Sequence, residues 1–163
     1  LAVGLARMEP QSSFSVFGAE EGLRASGSDV MRHRGRVYVA HGQGVQYLAP
    51  ATAGGPPRLT QVTGVANQCW AFMEFKDPAG RAEPQLLLSA SDGLYVIQDS
   101  RAVPIVESLN RSFGAFVTRQ SRVDPSRVWV GLADGLASVR WTGDRWVNEG
   151  RIDGITAQVL LSH

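Results

Sequence analysis

Short apolar-aromatic runs, punctuated by glycine, recur along the whole chain and set its element order. The clearest are three successive pairs. Arg36-Val37-Tyr38-Val39-Ala40 precedes Gly44-Val45-Gln46-Tyr47-Leu48, and Gln85-Leu86-Leu87-Leu88-Ser89 precedes Gly93-Leu94-Tyr95-Val96-Ile97. Arg127-Val128-Trp129-Val130-Gly131 precedes Gly135-Leu136-Ala137-Ser138-Val139. Each pair reads as a β-hairpin, because Asp92-Gly93 and Asp134-Gly135 are dipeptides that favour positive φ in tight turns. No segment sustains the helical period of about 3.6 residues, so almost no helix is expected.

The pattern is periodic on a longer scale. Gly4-Leu5-Ala6-Arg7-Met8 joins the glycine-led runs at 44, 93 and 135, giving intervals of 40, 49 and 42 residues. A second marker, Gly22-Leu23, Gly64-Val65, Ser108-Leu109 and Gly154-Ile155, repeats out of phase with the first at 42, 44 and 46. Such a period belongs to repeat architectures, and four short strands per unit of this length make the blade of a β-propeller. The expected strands are 29–34, 36–41, 44–49 and 58–62, then 68–76, 85–89, 93–98 and 102–108, then 115–120, 127–132, 135–141 and 145–149.

The fold class expected is therefore all-β: three full four-stranded blades (22–63, 64–107, 108–153) with a partial blade at each end (1–21 and 154–163). Residues 1–17 supply the last two strands of one blade, and 157–161 the first strand of another. Blades bury their faces against their neighbours, so an open array would leave two apolar faces in water. The chain is accordingly expected to be a piece of a larger propeller, or to close by association.

Composition adds little to this picture and removes several function classes. With 44% hydrophobic residues the chain can build a core, and its 18 glycines fit the many turns that blades need. A net charge of +1, from 16 basic and 15 acidic residues, does not call for nucleic acid or an anionic membrane surface. Cys69, beside Trp70 in an expected strand, reads as a small buried apolar residue. His33, His41 and His163 share no metal-ligand spacing, and no cofactor motif or catalytic constellation is expected. Glu20-Glu21 lies in a linking loop where an acid–base pair is not positioned, and Asn110-Arg111-Ser112 matches a glycosylation sequon. The most basic stretch, Arg32-His33-Arg34-Gly35-Arg36, could grip an anion, but it falls at a strand turn where solvated charge is ordinary.

The aromatic residues are the remaining candidates. Tyr38 and Trp129 share a second-strand position and are expected to pack between blades. Trp70, Phe72, Phe75 and Phe116 fall in first strands, which line the central channel of a propeller. Trp70, Phe72 and Phe116 are the candidate ligand-binding residues, and alternation alone leaves open which of them face the channel.

Val128-Trp129-Val130-Gly131-Leu132-Ala133-Asp134-Gly135-Leu136 resembles the W-V-G-T-x-x-G-L signature of the two-component regulator propeller repeat. Gly22-Leu23-Arg24-Ala25-Ser26-Gly27-Ser28-Asp29-Val30 is similar to the G-L-P-S-N-x-V segment that opens each such repeat, and Gly4-Leu5-Ala6-Arg7-Met8 is a further match. Leu132 stands where that family has Thr, Ser89 where it has Gly, and Leu87 where it has Trp. The resemblance implies a propeller of about seven blades, on the periplasmic side of a bacterial membrane receptor whose kinase or cyclase output lies outside this segment. It further implies a non-catalytic ligand sensor, with an interaction scaffold as the alternative and a propeller lyase or glycosidase as a third possibility. The partners implied are a ligand or protein, together with the remaining blades or a second subunit.

Overall fold

The computed structural model describes residues 5–7, 15–49, 57–105 and 114–155. Among them the chain is all-β, with no helix. Strands β1 (Leu5–Arg7) and β2 (Ser15–Phe17) form an antiparallel pair. The first four-stranded sheet holds β3 (Gly27–His33), β4 (Arg36–His41), β5 (Gly44–Ala49) and β6 (Arg58–Gln61). The second holds β7 (Cys69–Phe75), β8 (Gln85–Ala90), β9 (Gly93–Gln98) and β10 (Arg101–Pro104). The third holds β11 (Ala115–Gln120), β12 (Arg127–Leu132), β13 (Gly135–Trp141) and β14 (Trp146–Arg151). Each sheet is an antiparallel meander in chain order, the blade-like unit that the repeat length predicts. Strand β7 lies against both β3 and β11, so the sheets fan out from their first strands.

The expected hairpins 36–41 with 44–49 and 127–132 with 135–141 coincide with β4–β5 and β12–β13. The outer strands differ more. Strand β14 runs two residues beyond the expected 149, because a register shift opposite Ser138 and Val139 absorbs an extra residue. Strand β10 spans Arg101–Pro104, the N–H of Ile105 adds one more bond to the Leu94 carbonyl at 2.9 Å, and residues 106–108 of the expected strand lie outside the described residues. The expected strand 157–161, the markers at Gly4 and Ser108, and the sequon at Asn110 lie outside the described residues.

Strand alternation turns one face of the second sheet towards the first sheet and the other towards the third. Tyr38, Ala40 and Val45 of the first sheet meet Phe72, Leu86 and Leu88 of the second in one apolar cluster. On the other side of the second sheet, Leu87, Leu94 and Phe75 meet Val128, Val130 and Val139 of the third. Burying each such aliphatic side chain contributes about 1.5–3 kcal/mol, so these two seams carry most of the apolar stabilisation. Phe17 of β2 and Leu23 pack with Val39 and Leu59 on the remaining face of the first sheet.

The linkers between sheets are held in place by glycine. Gly44 opens β5 at φ +118°, and a Cβ there would sit 2.7 Å from the carbonyl oxygen of Val65 in the linker leaving the sheet. Gly135 opens β13 at φ +155°, with the carbonyl of Ile155 at 2.8 Å from the equivalent point. Only glycine allows both the backbone angle and the approach. The chain thus leaves the first and third sheets along the same path.

Candidate functional site

The three first strands share a defect in the same place. The pairing of β3 with β4 skips a residue between Gly27 and Asp29, that of β7 with β8 between Cys69 and Ala71, and that of β11 with β12 between Ala115 and Val117. The unpaired residues are Ser28, Trp70 and Phe116. A bulge re-aims the side chain it displaces and lets it leave the pleat. Trp70 and Phe116, from neighbouring strands, come into contact with ring centroids 5.0 Å apart at an interplanar angle of 34°. Both are half-buried, and the indole Nε1 of Trp70 is buried with no hydrogen-bond partner among the described residues.

Phe72 does not join them. It follows the bulge, pairs with Leu88, and points into the seam between the first and second sheets, where it is 7% exposed and meets Tyr38 edge-on at 6.5 Å. Of the three residues singled out from the sequence, Phe72 is therefore a packing residue, and Trp70 and Phe116 form the half-buried pair. Phe75, the fourth first-strand aromatic, is fully buried against Trp141 and Trp146.

Polar side chains tie the first strands to one another around this pair. Asp29 accepts the backbone N–H of Phe72 at 2.7 Å through Oδ2 and that of Val30 at 2.7 Å through Oδ1. At the other end of the same strands, Nδ1 of the buried His33 lies 3.0 Å from Glu74 Oε2. Gln120 donates to the carbonyl of Lys76 at 2.7 Å and to that of Pro125 at 2.7 Å, joining β7 to β11. These links supply hydrogen bonds to edge groups that have no strand beside them in register.

The remaining candidates resolve into structural roles. Cys69 is fully buried, and its thiol is pushed up to about 12, first by burial and then by the charge of Asp92, so it is no nucleophile. His41 is buried and accepts the N–H of Gln43 on Nδ1 at 3.1 Å; burial, with Arg24 nearby, lowers its pKa and keeps it neutral. Glu21 accepts the N–H of Gly18 at 2.7 Å and so braces its own loop. Among the described residues no three His, Cys, Asp or Glu side chains gather as a metal site would need.

Trp129 departs from expectation. Its counterparts Tyr38 and Leu87 are 2% and 0% exposed in the seams, but Trp129 is only half-buried, with the Arg127 guanidinium 5.3 Å above its ring. The reason lies in position: it points away from the second sheet, on the one face of the third sheet that no described element covers. Arg127 and Arg140 on that face converge on Glu149, with Arg127 Nε donating at 2.6 Å, Arg140 Nε at 2.7 Å and the Ser138 hydroxyl at 2.9 Å. Led by the Arg127 contact, these donors hold the Glu149 carboxyl down at about 2 despite partial burial.

A groove of about 650 Å³ lies at the opposite end of the sheets from the bulges. Its walls include Arg34, Arg36 and Tyr38 of the first sheet, Gln85 and Asp99 of the second, and Trp141, Arg145 and Trp146 of the third. The basic stretch seen in the sequence thus reaches this groove: Arg34 and Arg36 face it, and the buried His33 lies in its wall, paired with Glu74. The contributions of Asp99, Arg145 and the two tryptophans were not visible in the sequence. The one signal available was Trp141 and Trp146 flanking a turn, a spacing that makes them cross-strand partners.

Comparison of the chain with protein-family models, curated proteins and solved structures returns no match.

Proposed function

We propose that this chain is a segment of a β-propeller that senses a ligand for a signal-transduction receptor, without catalysis of its own. The observation that carries this reading is the bulge repeated at the start of all three first strands, which lifts Trp70 and Phe116 out of the pleat and into contact at 5.0 Å. A repeated defect is a positional device rather than an accident of packing, and bulges cluster beside binding sites. An aromatic pair on rigid inner strands offers a ligand a large, pre-ordered contact surface. The motif resemblance to the two-component regulator propeller repeat supplies the signalling context, and with it the extracytoplasmic location. Further blades of the ring are part of the same proposal, supported by the linker at Ile155, which leaves Gly135 as Val65 leaves Gly44.

A thermal-shift screen with Trp70→Leu and Phe116→Leu variants tests this reading. Compounds that raise the melting temperature of the natural chain should lose that effect in both variants, while the unliganded variants melt close to the parent. A screen without any stabilising compound, or a stabilisation that survives both replacements, overturns it. An interaction scaffold is the second reading, and the half-buried Trp129 under Arg127 favours it, since tryptophan and arginine are the residues most often found at the centre of protein interfaces.

A further inference from the structure

We infer that the groove across the lower edge of the second sheet binds an extended carboxylate-bearing ligand, with Arg34 and Arg145 as its two anchoring cations. This role goes beyond the sensing assigned to Trp70 and Phe116 and does not depend on it, because the groove lies at the other end of the sheets.

Three observations converge. The first is charge. The groove is lined by Arg34, Arg36 and Arg145 against Asp99 and Asp144. Arg36 is engaged: it lies 3.8 Å from Asp99 and 5.2 Å above the Tyr47 ring. Asp144 accepts the Thr142 hydroxyl at 2.7 Å, and that bond, with the more distant charge of Arg145, lowers its carboxyl pKa. Among the described residues neither Arg34 nor Arg145 forms a close ion pair with a carboxylate, and the Arg34 guanidinium reaches only the carbonyl of Pro84, at 3.1 Å. His33 on the same wall is occupied by Glu74.

The second observation is backbone strain. The described residues include two non-glycine positions with positive φ, Arg34 at 47° and Asp99 at 52°, and both line this groove. Aspartate tolerates the left-handed region, but arginine at the first position of a two-residue hairpin turn is an exception to the Asn, Asp and Gly that such turns favour. Strain of this kind is retained where a side chain has a task at that spot.

The third is shape. Arg34 and Arg145 stand on different sheets, with the half-buried Trp146, the edge of the buried Tyr38 and the edge of the second sheet lining the groove between them. Tyr38 and Trp146 are fixed in orientation, the former by donating its hydroxyl to the Asp99 carbonyl at 3.1 Å and the latter by donating Nε1–H to Gln85 at 3.0 Å. Guanidinium forks pair carboxylates in a planar, bidentate manner, and separated anchors select a ligand with acidic groups at both ends. Such carboxylates could come from an acidic peptide or from a small polycarboxylic acid.

The experiment is a fluorescence titration of the natural chain with a labelled hexaglutamate peptide and, in competition, with citrate. Hexaglutamate should bind, should weaken as salt is raised, and should bind about tenfold more weakly to Arg145→Gln. Arg34→Asn should weaken binding by a similar factor while leaving the melting temperature equal or higher, because asparagine relieves the turn. Arg119→Gln, an exposed arginine outside the groove, should change nothing. Displacement by citrate assigns the groove to small polycarboxylates, and its failure to displace assigns it to acidic peptides. Absence of hexaglutamate binding, or binding unaltered in Arg34→Asn and Arg145→Gln, overturns the inference.

Discussion

Gly44 shows how a single position links the repeat in the sequence to the packing of the sheets. Its φ of +118°, and the Val65 carbonyl 2.7 Å from the point where a Cβ would sit, leave no room for any other residue. Gly143, at φ +102° in the β13–β14 turn, has nothing within 4 Å of the same point. Alanine at either site meets the backbone penalty, about 1–3 kcal/mol. At Gly44 it must also displace the linker. Urea denaturation should therefore find Gly44→Ala clearly less stable than Gly143→Ala, and equal losses would show that the linker contact contributes nothing. The glycine was visible in the sequence as a repeat marker. Its role was not, because Val65 is a neighbour only after the sheets have packed. The candidate site was legible to a similar degree. Trp70 and Phe72 are two residues apart, so a regular strand would send both to one face, and the bulge that separates them leaves no mark in the alternation of apolar residues.

The four-stranded sheets were legible as elements wherever two apolar strands flank a glycine-led turn, and less so at the outer strands, two of which have only four residues while the third buries none of its positions fully. The third sheet carries an acid-sensitive feature on its outer strand. Glu149 of β14 has its carboxyl held at about 2, against an ordinary 4.5, by Arg127, Arg140 and Ser138. A carboxylate with a depressed folded value contributes stability that is present above its unfolded value and is lost as pH falls towards the folded one. Urea midpoints should therefore decline from about pH 4.5 down to about 2. Glu149→Gln should be less stable than the parent at neutral pH and should show a shallower decline in that window. Asp124, also held at about 2 by Ser126 and Arg140, keeps the decline from vanishing. Parallel pH profiles for the parent and Glu149→Gln would mean that the cluster does not hold in solution. The groove between Arg34 and Arg145 was illegible at this scale, since its walls come from three sheets far apart in the chain.

On the scale of the whole molecule, we propose that the three sheets are successive blades of a larger ring, completed by further blades or by other copies of the chain. Repetition of one seam supports this. The face that buries Tyr38 in the first sheet and Leu87 in the second leaves Trp129 and Leu136 half-buried in the third, beside the Arg127–Arg140–Glu149 cluster. A tryptophan and a leucine left half-covered at the position that is buried in the two preceding sheets are suited to a further contact. The most direct measurement is the mass in solution, by light scattering, of the 163-residue chain of 17.6 kDa. Open faces that cover one another predict a folded species well above that mass. A stable, folded monomer at 17.6 kDa would contradict the ring.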